Sequence, residues 1–247
     1  MSMKSCLTLL VAVALVAAAP AAEPASGPGD AESQGREWAQ KLCWARPETN
    51  LIQTGVLKIR NAQKQWQEIP VRFSAGQAGS EASSWVANYE TTGTDHWQLI
   101  LTRFIGRPSR YQLIHGQATN ELAGTATMRS FAGSDFAPGD FGLEFLYWPL
   151  QKVLRKEFHD NCASIVLEST NPQPAPGSYS RVVSRIDEDS GGIMEAKTYD
   201  LAGRLLKDFR VKDLKKVNGR WQVALVIMEN VQAGTRTQLE FDLKPAD

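Results

Sequence analysis

From Asn161 onward the chain is a succession of short strand-like segments separated by turn residues, and this pattern constrains the fold more than any other feature. Asn161–Ser169, Tyr179–Asp187, Ile193–Asp200, Arg204–Lys216, Trp221–Asn230 and Thr235–Leu243 all read as strands. Their connectors are Asp189-Ser190-Gly191-Gly192, Leu201-Ala202-Gly203, Asn218-Gly219 and Gln232-Ala233-Gly234. Asn-Gly is a strong hairpin signal, because both residues of a tight turn must tolerate positive φ. In the last segment Leu239, Phe241 and Leu243 fall on one face, and Arg236, Gln238, Glu240 and Asp242 on the other. Close hairpins force antiparallel pairing, since parallel strands need long crossovers. One face of such a sheet is apolar and the other meets water.

Earlier segments carry the same period. Leu57 and Ile59 alternate with Lys58 and Arg60, and Trp66 to Phe73 follows after a polar turn. Trp85–Glu90, Trp97–Phe104, Arg110–His115 and Thr125–Phe131 are further strand candidates. Two short helices interrupt them. Arg36 to Trp44 places Trp38 and Leu42 at helical spacing, and Pro47 ends it. Phe141 to Trp148 is a second candidate, with Asp140 as its cap and Pro149 as its stop. The expected fold is mainly β: a large curved antiparallel sheet of about eleven strands, which must close on itself or cover its apolar face with the helices.

The first residues read as an address rather than as structure. Lys4 precedes an apolar run from Leu7 to Ala19, and small residues follow through Ala22. That order is a secretory signal peptide, cleaved near Ala21 or Ala22, and the run is short for a membrane-spanning helix. Residues 1–21 are thus the expected signal peptide and residues 22–35 a disordered leader, rich in Ala, Pro, Gly and Ser. Residues 36–247 are expected to form a single β domain. With 27 basic and 27 acidic residues there is no basic surplus, so nucleic acid is a poor partner. Cys43 and Cys162 remain after processing and are either bridged by a disulfide or kept as thiols.

Motifs for catalysis are absent. His96, His115 and His159 are scattered without metal-ligand spacing, and no nucleophile elbow or phosphate-binding glycine pattern occurs. The adjacent His159 and Asp160 sit at an expected turn and would point to opposite faces of a strand. No metal, cofactor or enzymatic activity is expected. The unusual feature is the aromatic density of the middle: Phe131, Phe136, Phe141, Phe145, Tyr147 and Trp148. These residues are either core closing the sheet or the lip of an apolar cavity.

One block carries a resemblance. It runs Gly133-Ser134-Asp135-Phe136, Asp140-Phe141-Gly142-Leu143-Glu144-Phe145, Trp148-Pro149 and Gln151, then Cys162, Val166-Leu167-Glu168-Ser169 and Asn171-Pro172. With Tyr179-Ser180-Arg181-Val182, Lys216-Val217-Asn218-Gly219, Trp221 and Thr235-Arg236-Thr237, it resembles the bacterial outer-membrane lipoprotein-sorting proteins. The likeness runs from about Thr54 to the C-terminus. It implies an unclosed β half-barrel with short helices over the concave apolar face, among the periplasmic lipoprotein carriers and receptors. It also implies shielding of a lipid or lipoprotein acyl chain, as a monomer, with inner- or outer-membrane transfer proteins as partners. The related carriers move their lid through an arginine, and Arg72, Arg103 and Arg110 are candidates by type. On this reading Phe136, Phe141, Phe145, Leu146 and Trp148 form the lid or rim, and Leu239 and Phe241 the concave face. The alternative is a non-catalytic envelope module that binds a protein partner through the same sheet.

Overall fold

A computed structural model describes residues 28–45, 50–77, 84–159, 162–217 and 219–243. The expected signal peptide and the start of the leader lie outside the described residues. Among the described residues, thirteen strands form one antiparallel sheet that does not close into a barrel. A first meander comprises β1 (Leu51–Arg60), β2 (Trp66–Gln77), β3 (Ser84–Thr91), β4 (Trp97–Phe104), β5 (Arg107–His115) and β6 (Ala118–Leu122). A second comprises β7 (Leu150–His159), β8 (Cys162–Thr170), β9 (Arg181–Asp187), β10 (Ile193–Tyr199), β11 (Leu205–Val217), β12 (Arg220–Asn230) and β13 (Thr235–Phe241). β13 pairs with β1, so the order is β6-β5-β4-β3-β2-β1-β13-β12-β11-β10-β9-β8-β7.

This order has a mechanical consequence. Consecutive strands are neighbours at every step except from β6 to β7, which are the two edges of the sheet. Residues 123–149 must therefore cross from one edge to the other. Strand twist curls a sheet of this width, and the crossing segment spans its concave face. There Phe131, Phe136, Phe141, Phe145 and Leu146 share one buried cluster with sheet residues such as Leu57, Leu99, Val226 and Leu239. Leu57, Leu239 and Val226 face each other in one row across β1, β13 and β12. Alternation sets this core: Trp85, Ala87 and Tyr89 of β3 are buried while Val86 and Asn88 between them are only half-buried.

The helix α1 (Pro28–Trp44) covers β7, the edge at the far end. It starts earlier than the sequence pattern suggests, so the leader from Pro28 onward is helical. Proline suits a first turn, and Asp30 meets the positive end of the helix dipole. Gly35 permits the contact: a Cβ there would lie 2.5 Å from the backbone nitrogen of Lys152.

The structure departs from the sequence pattern elsewhere too. Thr125–Phe131 contains no strand: Gly124–Met128 is a 3-10 turn, followed by the Arg129 N–H donating to the Ala126 carbonyl. The strand lies just before it, in β6. β7 was not legible at all, because a bulge between Val153 and Arg155 breaks its alternation. Asp140 caps backward rather than forward. Its carboxylate accepts the Ala137 N–H at 2.8 Å, which starts α2 (Pro138–Phe141). Leu143 is left-handed at φ 51°, and a separate 3-10 turn, Glu144–Tyr147, follows.

No disulfide joins Cys43 to Cys162; both stand as thiols. Geometry explains this. Gly35 rests on Gln151 and Lys152, and Cys43 is roughly 12 Å further along the helix. Cys162 faces His159, roughly 26 Å along β7 from Gln151. The remaining gap exceeds the ~7 Å that a disulfide spans between Cα atoms.

Candidate functional site

The crossing segment is fastened to the sheet by a few polar groups placed between aromatic rings. At its first fastening, Asp135 donates its N–H to the Thr237 hydroxyl oxygen at 2.8 Å. The Asp135 carboxylate accepts hydroxyl bonds from Thr235 at 2.5 Å and Thr237 at 2.9 Å. At the second, the Asp140 carboxylate accepts the Tyr179 hydroxyl at 2.7 Å and the Lys207 ammonium at 3.0 Å. Burial and the Asp140 carboxylate together push the Tyr179 phenol well above its ordinary range, which keeps it a donor. At the third, the Gln151 amide donates to the carbonyls of Phe145 at 3.0 Å and Trp148 at 2.9 Å. The Ser169 hydroxyl holds that amide in place at 2.7 Å.

Rings fill the space between these points. Phe141 stacks on Phe136 with centroids 5.4 Å apart, meets Phe131 edge-on at 5.8 Å, and leans on Tyr89 of β3 at 4.3 Å. Glu144 lies just beyond and accepts the Thr127 hydroxyl at 2.7 Å. Burial raises its carboxyl above the ordinary range; the Thr127 bond partly opposes the rise, and the Asp140 charge adds to it.

Beneath the segment lies a hollow of about 60 Å³. Phe136, Phe141 and Phe145 of the crossing segment line one side, and Phe209, Val211, Leu214, Val223 and Met228 of β11 and β12 line the other. Leu42 of α1 and Ala196 of β10 close the flanks, and Asp140 and Thr198 are the polar exceptions. Leu239 and Phe241 lie apart from it. They line a smaller space of about 10 Å³ on the other side of Phe141, with Phe73 and Tyr89. Leu146 is buried but lines neither space, and Trp148 packs against Phe145 at 6.5 Å. The residues of β11 and β12 that line the hollow were missed in the sequence. Their alternation was visible, but which face was concave was not.

The three arginines differ sharply. Arg72 is half-exposed and 3.9 Å from Glu90. Arg110 lies on the surface beside the Phe104 ring. Arg103 is fully buried. Among the described residues no cluster of three His, Cys, Asp or Glu side chains could hold a metal ion.

An open curved antiparallel sheet, with one long crossover laid over an apolar hollow, defines the class of fold. Solved structures share it. A DUF1329 family protein from Desulfovibrio piger superposes with a TM-score of 0.72 at 17% identity, over 88% of this chain and 93% of that one. A domain from Vibrio parahaemolyticus, named for outer membrane lipoprotein sorting, gives 0.71 at 19% identity, over 86% and 92%. A LolA superfamily protein from Nitrosomonas europaea gives 0.57 at 18% identity, over 88% and 94%. The fold implied by the sequence resemblance is thus the fold found. No curated protein matches the chain. Residues 116–243 of the 247, just over half, match the model of a family described as "Uncharacterized protein", and the chain belongs to that family.

Proposed function

We propose that this protein is a non-catalytic carrier that binds a lipid, or the acyl chains of a lipoprotein, between its curved sheet and the 123–149 lid. Its setting is the bacterial periplasm, after removal of the signal peptide, in outer-membrane lipoprotein sorting or envelope maintenance. The observation that carries this reading is the hydrocarbon-lined hollow between lid and sheet. The names of two proteins with the same fold support it: one is named for outer membrane lipoprotein sorting and the other for the LolA superfamily.

At about 60 Å³ the hollow has room for only a few water molecules. An acyl chain needs the lid to move outward. Each buried CH₂ contributes about 0.8 kcal/mol, which offsets the loss of lid contacts. Phe136, Phe141 and Phe145 would then face the chain, with Leu146 and Trp148 as the rim. The concave-face residues Leu239 and Phe241 come into reach once Phe141 swings away, because Phe141 divides the two spaces. Release follows when an acceptor, such as a membrane transfer protein, binds the open state better.

The test is native mass spectrometry with lipid extraction on protein purified from the periplasm. Co-purified acyl lipid is the expected result. Lipid-free protein in stable complex with another envelope protein would instead favour the interaction-module reading. That second reading has its own observation: Leu150, Leu154 and Phe158 of the edge strand β7 are all exposed.

A further inference from the structure

Arg103 sits on the concave side of β4 with no exposed surface, and Nε, Nη1 and Nη2 make no hydrogen bond of full geometry within the protein; the Tyr147 hydroxyl is a neutral neighbour. Its guanidinium lies 5.3 Å from the centre of the Trp85 ring. The hydroxyls of Ser109, Tyr111 and Tyr147 are also buried, and their polar company among the described residues is one another, Arg103 and the Cys43 thiol, in contacts short of full hydrogen-bond geometry. The hydroxyls and the thiol are neutral groups, so the weak contacts they make leave the guanidinium without a negative partner. The nearest acidic influence, Glu144 on Tyr111, turns its carboxylate to Thr127 instead. The cluster is therefore rich in donors, carries a positive charge, and offers that charge no anionic oxygen.

Burial of an unpaired charge is among the most costly arrangements in a protein interior. Lysine or histidine escapes by losing its proton, but arginine keeps its own in proteins. An aromatic face offsets only part of that cost. The guanidinium fork matches carboxylate and phosphate oxygens, two at a time.

The cluster adjoins the hollow. Leu42, Leu143 and Phe145 line the hollow. Cys43 follows Leu42 in the chain, and Tyr147 lies two residues beyond Phe145. Gly142 fits directly against the Tyr111 hydroxyl, where any Cβ would collide. Residues 142–147 thus contribute to both: Leu143 and Phe145 to the hollow, Tyr147 to the cluster.

We propose that Arg103, with Ser109, Tyr111 and Tyr147, is a buried oxyanion site for the carboxylate or phosphate of an amphiphile whose apolar chain occupies the hollow. The inference rests on the carrier reading for the chain and adds the class of headgroup. It assigns Arg103 a ligand rather than a purely structural place on Trp85.

Thermal melts of the full mature chain test it, with decanoate, 1-decanol and inorganic phosphate as probes. In the unaltered protein, decanoate at a hundredfold excess over its Kd raises the melting temperature by about 5–10 °C, clearly more than 1-decanol at the same concentration does. Arg103→Met removes that preference and leaves the shift with 1-decanol in place. Should Arg103→Met fail to fold, Arg103→Lys keeps the charge without the fork, and the preference weakens. A phosphate shift that Arg103→Met abolishes assigns the same site to a free anion rather than a headgroup. Equal shifts with decanoate and 1-decanol, or a decanoate preference that survives in Arg103→Met, overturn the oxyanion site while the carrier reading stands. If neither decanoate nor 1-decanol binds, the carrier reading falls as well.

Discussion

Two acidic side chains of the lid do opposite things to stability. Glu144 is partly buried, and its carboxyl is raised above the ordinary range mainly by loss of solvation. The folded chain therefore holds that proton more tightly than the unfolded chain does. Its contribution is complete below the ordinary carboxylate pKa and is lost as pH rises through the folded value. Glu144→Gln keeps an oxygen for Thr127 and removes the charge. It raises the melting temperature at neutral pH and flattens the acid side of the stability profile; a profile parallel to the parent's would contradict this. Asp140 works the other way. Asp140→Ala strands the Lys207 ammonium and the Tyr179 hydroxyl, both nearly buried. Removing one member of such a pair costs about 3–5 kcal/mol. Adding Lys207→Met recovers most of that loss in urea titrations. A double variant no more stable than Asp140→Ala would mean that the stranded charge is not the cause.

At the scale of elements, α1 on β7 is governed by one glycine. Replacing glycine in a helix by alanine ordinarily gains up to about 1 kcal/mol. At Gly35 the sign reverses, because the new methyl group meets the backbone of Gln151 and Lys152 at 2.5–2.6 Å. Neither strand nor helix can give way alone. Gly35→Ala is expected to destabilise by about 1–3 kcal/mol in urea titrations, as overpacking does, and to expose amides of β7 to hydrogen exchange. A gain in stability would mean that α1 docks loosely. This contact also marks the limit of sequence reading. The strands from β8 to β13 alternate and end in turn residues, so they were legible. β7 was not, because its bulge removes the period. α1 was read too short, because Pro28 to Gly35 lacks apolar residues at helical spacing. The aromatic lid block was visible as composition. The roles of Asp135, Asp140 and Lys207 were hidden, since they depend on strands about 70 to 100 residues away.

For the whole molecule, the lid is a consequence of chain order. Two meanders meet at β1 and β13, so their outer edges lie far apart, and the chain must cross the concave face to reach the second. A crossing segment of this kind covers the sheet without being woven into it. Its backbone hydrogen bonds are mostly local, and a few polar side chains and aromatic rings hold it. On the proposed carrier reading it would open while the sheet stays paired, which a solid core would forbid. The hollow itself separates these two cases. Ala196 of β10 lines it from the flank. Ala196→Leu fills part of the space and leaves lid and sheet chemistry untouched. If the hollow is only a packing defect, filling it stabilises the protein by about 1 kcal/mol and changes nothing else. If an acyl chain lodges there, Ala196→Leu folds as well as the parent but carries at least tenfold less extractable lipid from the periplasm. Equal lipid in the two proteins, measured per mole after extraction, would remove the hollow from the binding path.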